Sequence, residues 1–134
     1  MAQINIAPLF LKDVTLTVGA DSYEKHVSGV TFTPSTSPIM FKGLNPEAVF
    51  TDVGAASWTV DLSYAQDWTT VNSLSAYLFA NQGETVSMTF TPRSGLGPAF
   101  VASVVIVSGA IGGQVDSYAT TTVSLPVQGQ PVID

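Results

Sequence analysis

The sequence predicts a mainly β domain: a sandwich or barrel of about seven or more antiparallel strands, with one flanking α-helix at about residues 69–81. Three observations carry this. Most of the chain alternates apolar and hydroxyl side chains with period two, as strands with one covered face do. Glycine and proline clusters punctuate the runs at short intervals. One segment alone changes to a helical period.

In chain order, Val14, Leu16 and Val18 alternate with Thr15 and Thr17, and Val30 and Phe32 with Thr31 and Thr33. Trp58, Val60, Leu62 and Tyr64 form one face of the central run, with Thr59, Asp61 and Ser63 on the other. Trp58 and Tyr64 are therefore expected in the core. Val71, Leu74, Tyr77 and Leu78 then recur at helical spacing, with Leu74, Tyr77 and Leu78 as the buried stripe. Thr69 or Thr70 is placed to cap the start and Asn81-Gln82-Gly83 to end it. Val86, Met88 and Phe90 resume the strand period against Thr85, Ser87, Thr89 and Thr91. Ala99 to Val107 reads as a strand buried on both faces, and Val115 to Val127 returns to Thr and Ser alternation. Turns are expected at Gly19-Ala20-Asp21, Gly83, Pro92 to Pro98 and Gly109 to Gly113.

The 134 residues suit a single domain, 1–134, without a linker. Only 10% are charged, against about 25% in an ordinary soluble domain. Four Lys and Arg against ten Asp and Glu give a net charge of −6, which offers no footprint for phosphate and argues against stable nucleic-acid or lipid-surface binding. No cysteine is present for a disulfide or thiolate site. The first residues do not read as a secretory signal, and no apolar run is long enough to span a membrane.

No catalytic or metal site is expected, and no cofactor. His26 is the only histidine and reads as a surface or edge residue. Asp13, Asp21 and Glu24 lack the spacing of a calcium loop, and Gly109 to Gly113 lacks the lysine and helix start of a phosphate cradle. Gln66-Asp67-Trp68 has the residue types of a sugar-binding patch, but Asp67 at a helix N-terminus and Trp68 stapling the helix entry explain it as well.

The most informative stretch is Pro38 to Phe50, which has the proline, glycine and asparagine of a loop together with Ile39, Met40, Phe41, Leu44, Val49 and Phe50. A loop this apolar needs cover, and in so weakly charged a chain the expected cover is another copy. The polar strand faces are equally unusual, being rich in Thr and Ser, nearly free of Lys and Arg, and carrying Asp61 between Thr59 and Ser63. Short hydroxyls with negative charge suit a channel wall along which a polyanion slides; plain β-propensity also yields exposed threonine.

Val-Thr-Phe-Thr-Pro-Ser-Thr-Ser (30 to 37), Phe-Lys-Gly-Leu-Asn-Pro (41 to 46), Trp-Thr-Val-Asp-Leu-Ser-Tyr-Ala-Gln-Asp-Trp (58 to 68), Ser-Leu-Ser-Ala-Tyr-Leu (73 to 78) and Thr-Phe-Thr-Pro (89 to 92) occur in this order and spacing. The set resembles the major tail tube proteins of long-tailed, non-contractile bacteriophages of actinobacterial hosts, over about residues 13–131. The resemblance implies a structural virion protein that forms hexameric rings stacked into the tail tube, the conduit for genome ejection. It would be assembled in the host cytoplasm. It implies residues 34–57 as a long loop reaching a neighbouring subunit and residues 1–12 and 126–134 as arms between rings. Tape-measure, tail terminator and distal tail proteins would be its partners. In that arrangement Thr59, Asp61 and Ser63 would face the lumen. The alternative is a viral decoration or carbohydrate- or receptor-binding β-sandwich module.

Overall fold

The computed structural model describes residues 2–93 and 98–134. Most of the Pro92 to Pro98 turn lies outside the described residues, as does Met1. The elements are β1 (Thr15–Val18), β2 (Asp21–Ser22), β3 (Val27–Ser35), β4 (Pro38–Lys42), β5 (Val49–Val53), β6 (Ser57–Ala65), α1 (Leu74–Ala80), β7 (Thr85–Thr91), β8 (Phe100–Val105) and β9 (Thr120–Ile133).

Seven strands form one antiparallel sheet in the order β2-β1-β7-β8-β9-β6-β3. Alternation sends Leu16, Val18, Met88, Phe90, Ala102, Val104, Val123, Leu125, Val60, Leu62 and Tyr64 to one face, and all are buried. A sheet with one such face must cover it. This one curls on itself until Phe32 of edge strand β3 meets Phe90 of β7, their ring centroids 6.1 Å apart. The result is a partly closed barrel around a single core. Helix α1 plugs one end with Leu74 and Leu78, and Tyr77 lies half-buried beside them. Tyr23 ties the helix entry to the β2–β3 turn by donating its hydroxyl to the Asn72 carbonyl at 3.1 Å. Burial, with the nearby Asp21 carboxylate, pushes that hydroxyl up to about 12.

The helix is shorter than its apolar spacing predicts. Ser73 is the N-cap, its Oγ accepting the Ala76 N–H, and Val71 lies outside the helix, 84% exposed. Thr69 and Thr70 do not cap it because both donate their backbone N–H to Asp67 Oδ1, closing a separate turn. The Thr70 side chain, together with the backbone N–H groups of Thr70 and Thr69, holds the Asp67 carboxyl down at about 2. Ser73 in turn donates its hydroxyl to the Asp67 carbonyl.

Strand β8 is buried on one face only. Ala102, Val104 and the following Ile106 point inward, whereas Ser103 is exposed and Val101 and Val105 are half-buried on the outer face. The segment 126–134 is no free arm in the subunit, because β9 continues through it, pairing Val127 with Trp58 of β6 and Ile133 with Phe100 of β8. A bulge at Gly129, whose φ is +81°, absorbs the register shift against β8.

Candidate assembly surfaces

The apolar stretch after β3 is not a loop. Strands β4 and β5 pair antiparallel from Pro38↔Val53 to Lys42↔Val49, directly continuing the β3–β6 ladder that ends at Ser35↔Ser57. Together they make a two-stranded arm that leaves the barrel at the end opposite α1. Opposed residues share a face, so Ile39, Phe41, Phe50 and Asp52 line one side, with Phe41 and Phe50 stacked at 6.3 Å between centroids. Met40, Lys42, Val49, Thr51 and Val53 line the other.

None of the described residues covers either side. Phe41 is 63% exposed, Phe50 65% and Leu44 fully, and Ile39, Met40 and Val49 are about half exposed or more. Val53 belongs with them, although it lies beyond the stretch that stands out in the sequence. The tip is braced by Gly43 N–H to the Ala48 carbonyl at 2.6 Å and Asn45 Oδ1 accepting the Glu47 N–H, and the base by Gly54 N–H to the Ser37 carbonyl at 3.0 Å.

At the foot of the arm lies an apolar cleft of about 300 Å³. It is walled by Phe32, Trp58, Phe90, Phe100 and Ile133, with Gln130 at its edge. Trp58 is thus a half-buried wall residue and not core, whereas Tyr64 is fully buried, which raises its hydroxyl pKa. This cleft has no signature in the sequence, since its aromatic residues come from four strands and meet only through the pairing and curl of the sheet. The segment before Lys12 also runs at this end of the barrel without regular structure. An isolated bridge pairs Lys12 with Arg93, just past β7, and Ile4, Ile6, Leu9 and Phe10 are left exposed.

The outer face of the sheet is the hydroxyl face. Thr59, Asp61 and Ser63 of β6 stand between Thr33, Thr31 and Gly29 of β3 and Pro126, Ser124 and Thr122 of β9. Ser124 Oγ donates to Asp61 Oδ1, and the hydroxyls of Ser63 and Thr122 lie 3.1 Å apart. The face continues through Ser103 and Ser87 to Thr89 and Thr17.

The remaining polar candidates are engaged elsewhere. Gln66 spends its amide on the far loop, accepting the Gly112 N–H at 3.0 Å and donating to the Gly112 carbonyl at 2.9 Å. Trp68 Nε1 donates to the same Gln66, and its ring packs edge-on against Phe79. With Asp67 holding its own turn, the polar atoms beside Trp68 are already used within the chain. His26 sits edge-on to Tyr23, and among the described residues its buried Nδ1 has no hydrogen-bond partner, so none of their carboxylates holds that nitrogen as a triad requires. Asp13 and Asp21 lie at opposite ends of β1, and among the described residues no group of three or more His, Asp or Glu side chains is placed to hold a metal ion. Among the described residues no helix is long and apolar enough to cross a membrane.

No protein-family model matches the chain, and no curated protein sequence matches it. Among solved structures, the fold is similar to that of a chain in the virion of a native gene transfer agent particle, with a TM-score of 0.63 over 89% of this chain and 95% of that one. At 11% identity the likeness is one of fold.

Proposed function

We propose that this chain is a structural, non-catalytic virion protein that assembles into hexameric rings stacked as a phage-type tail tube. The observation that carries this reading is the β4–β5 arm, a defined ribbon with apolar side chains exposed on both faces. A ribbon of that kind gains nothing from water and is completed only by a partner. Closed symmetry keeps such contacts finite within a ring while axial contacts propagate. The hydroxyl face with Asp61 then forms the lumen wall, past which DNA moves without being held. The apolar segment before Lys12 reaches between rings. The fold shared with a chain of a gene transfer agent virion agrees with a particle component. Tape-measure, terminator and distal tail proteins would meet the tube along its lumen and at its two ends.

Negative-stain electron microscopy of the purified chain across a concentration series, with light scattering in parallel, tests the reading. Rings or tubes of six-fold symmetry are expected. A species that stays monomeric at high concentration, with micrographs free of rings, would sink it.

A further inference from the structure

The arm and the cleft are two unpartnered apolar features at the same end of one barrel. The arm cannot fill its own cleft. It is the continuation of β3 and β6, the strands that carry Phe32 and Trp58 into the cleft wall, and five-residue strands lead it away over roughly 17 Å. A paired ribbon of this kind does not fold back on the strands from which it grows.

The areas indicate what the arm needs. Over both faces and the tip its seven apolar residues present on the order of 700 Å² to solvent, of which Ile39, Phe41 and Phe50 on one face supply roughly half, so the whole arm and not one face approaches the ~800 Å² each partner contributes to a standard interface. The cleft is small for a ligand pocket and of side-chain size, and Gln130 is the one polar residue among those that define it. Both surfaces hold aromatic rings, and the one charged side chain on that face of the arm, Asp52, has to stay at the rim of the contact for Phe41 and Phe50 to be buried without stranding it.

We propose that the cleft walled by Phe32, Trp58, Phe90, Phe100 and Ile133 is the receptor for the Phe41–Phe50 face of the arm of a second copy. The inference rests on the assembly reading above and supplies its missing half, the acceptor. Donor and acceptor are different patches of the same chain, so each copy gives one arm and receives one. That is the heterologous contact that closes into a ring when the rotation fits.

Because the chain has no cysteine, a cross-linking test has no background. Asp52→Cys places a thiol on the Phe41–Phe50 face without removing either ring, and Gln130→Cys places one at the cleft edge. With a short bismaleimide, the double variant is expected to give a ladder of covalent oligomers reaching six copies, and each single variant none beyond dimers. Independently, Trp68→Phe leaves Trp58 as the sole tryptophan, and its quenching by acrylamide is expected to fall several-fold on assembly. Rings by microscopy without the ladder, or with Trp58 still fully quenchable, overturn the receptor assignment and leave ring assembly standing. An unmodified chain that forms no rings at all overturns both.

Discussion

Replacing Phe50 by Ala separates the fold from the assembly. The ring is 65% exposed in the subunit, so about 130 Å² of a side chain of roughly 200 Å² remains for a partner to cover. At about 25 cal/mol per Å² its loss weakens each contact by about 3 kcal/mol, or roughly a hundredfold in association constant. The neighbouring Phe41, 6.3 Å away, loses its stacking partner as well, so Phe41→Ala and Phe50→Ala together should fall short of the sum of their effects. The subunit itself should barely notice, because an exposed substitution usually shifts stability by less than ~0.5 kcal/mol. Sedimentation velocity across a dilution series should move the concentration of half-assembly upward about a hundredfold, with an unchanged urea midpoint. If the urea midpoint falls in step with assembly, the ring stabilises the domain's own fold and the reasoning fails. It fails equally if half-assembly does not move.

Four other substitutions probe the helix, the turn before it and the hydroxyl face. Leu78→Asp puts a carboxylate where Leu78 is 1% exposed and should destabilise the subunit by more than ~3 kcal/mol. Ser75→Asp, which helical periodicity alone would place on the open face, should also destabilise it, by ~2 kcal/mol or more, because Ser75 is 2% exposed and its Oγ accepts the Asp67 N–H; a urea midpoint like that of the unmodified chain would refute the burial. Asp67 is held at about 2 against an ordinary 3.8, so its ionised form stabilises the fold above the ordinary value, and that contribution is lost as the pH falls through about 2. Asp67→Asn should therefore lower the urea midpoint at neutral pH and converge with the unmodified chain in strong acid, and a pH-independent gap would contradict this. Asp61→Lys removes the acceptor of Ser124 but should change stability by no more than ~1 kcal/mol. In phage carrying the variant tube, genome release should slow at low salt and recover at high salt; normal release at both would exclude a lumen role for Asp61.

How much of this was legible in the sequence depended on whether one face of each element was covered. The run from Trp58 to Tyr64 declared its strand because apolar and polar positions alternate without a break, and Leu74 and Leu78 declared the helix. The arm hid itself because Ile39, Met40 and Phe41 are apolar in succession: a ribbon waiting for partners on both sides has no polar face, so the period-two signal vanishes. The last strand was hidden differently, since Pro126, Gly129 and Pro131 look like breakers, yet β9 runs through them as an interior strand with a bulge at Gly129. The helix start was misread because Asp67 draws Thr69 and Thr70 into its own turn. Periodicity alone leaves Ser75 on the open side of the helix, but the β6–α1 connection covers it, with Asp67 donating its N–H to the Ser75 hydroxyl.

The arm and the hydroxyl face are mechanically one object, and this bears on how a tube wall could stay slippery. Strands β3 and β6 carry Thr31, Asp61 and Thr59 on the outer face of the barrel, and short links at 36–37 and 54–56, joined by the Gly54 N–H to the Ser37 carbonyl, lead them into the apolar ribbon. Whatever fixes the ribbon in a neighbour therefore fixes the direction of that face, identically in every copy. Under the tube reading, a single carboxylate per subunit becomes a ring of six, repeated at every layer. Negative potential alone keeps DNA from settling, but hydroxyls left free could still donate to phosphate and hold it. Here the donors are partly used: Ser124 gives its proton to Asp61, and Ser63 and Thr122 share theirs. Short side chains satisfied by each other expose few donors and lose little entropy, so under the tube reading such a wall would offer a passing strand neither deep wells nor long cationic hooks.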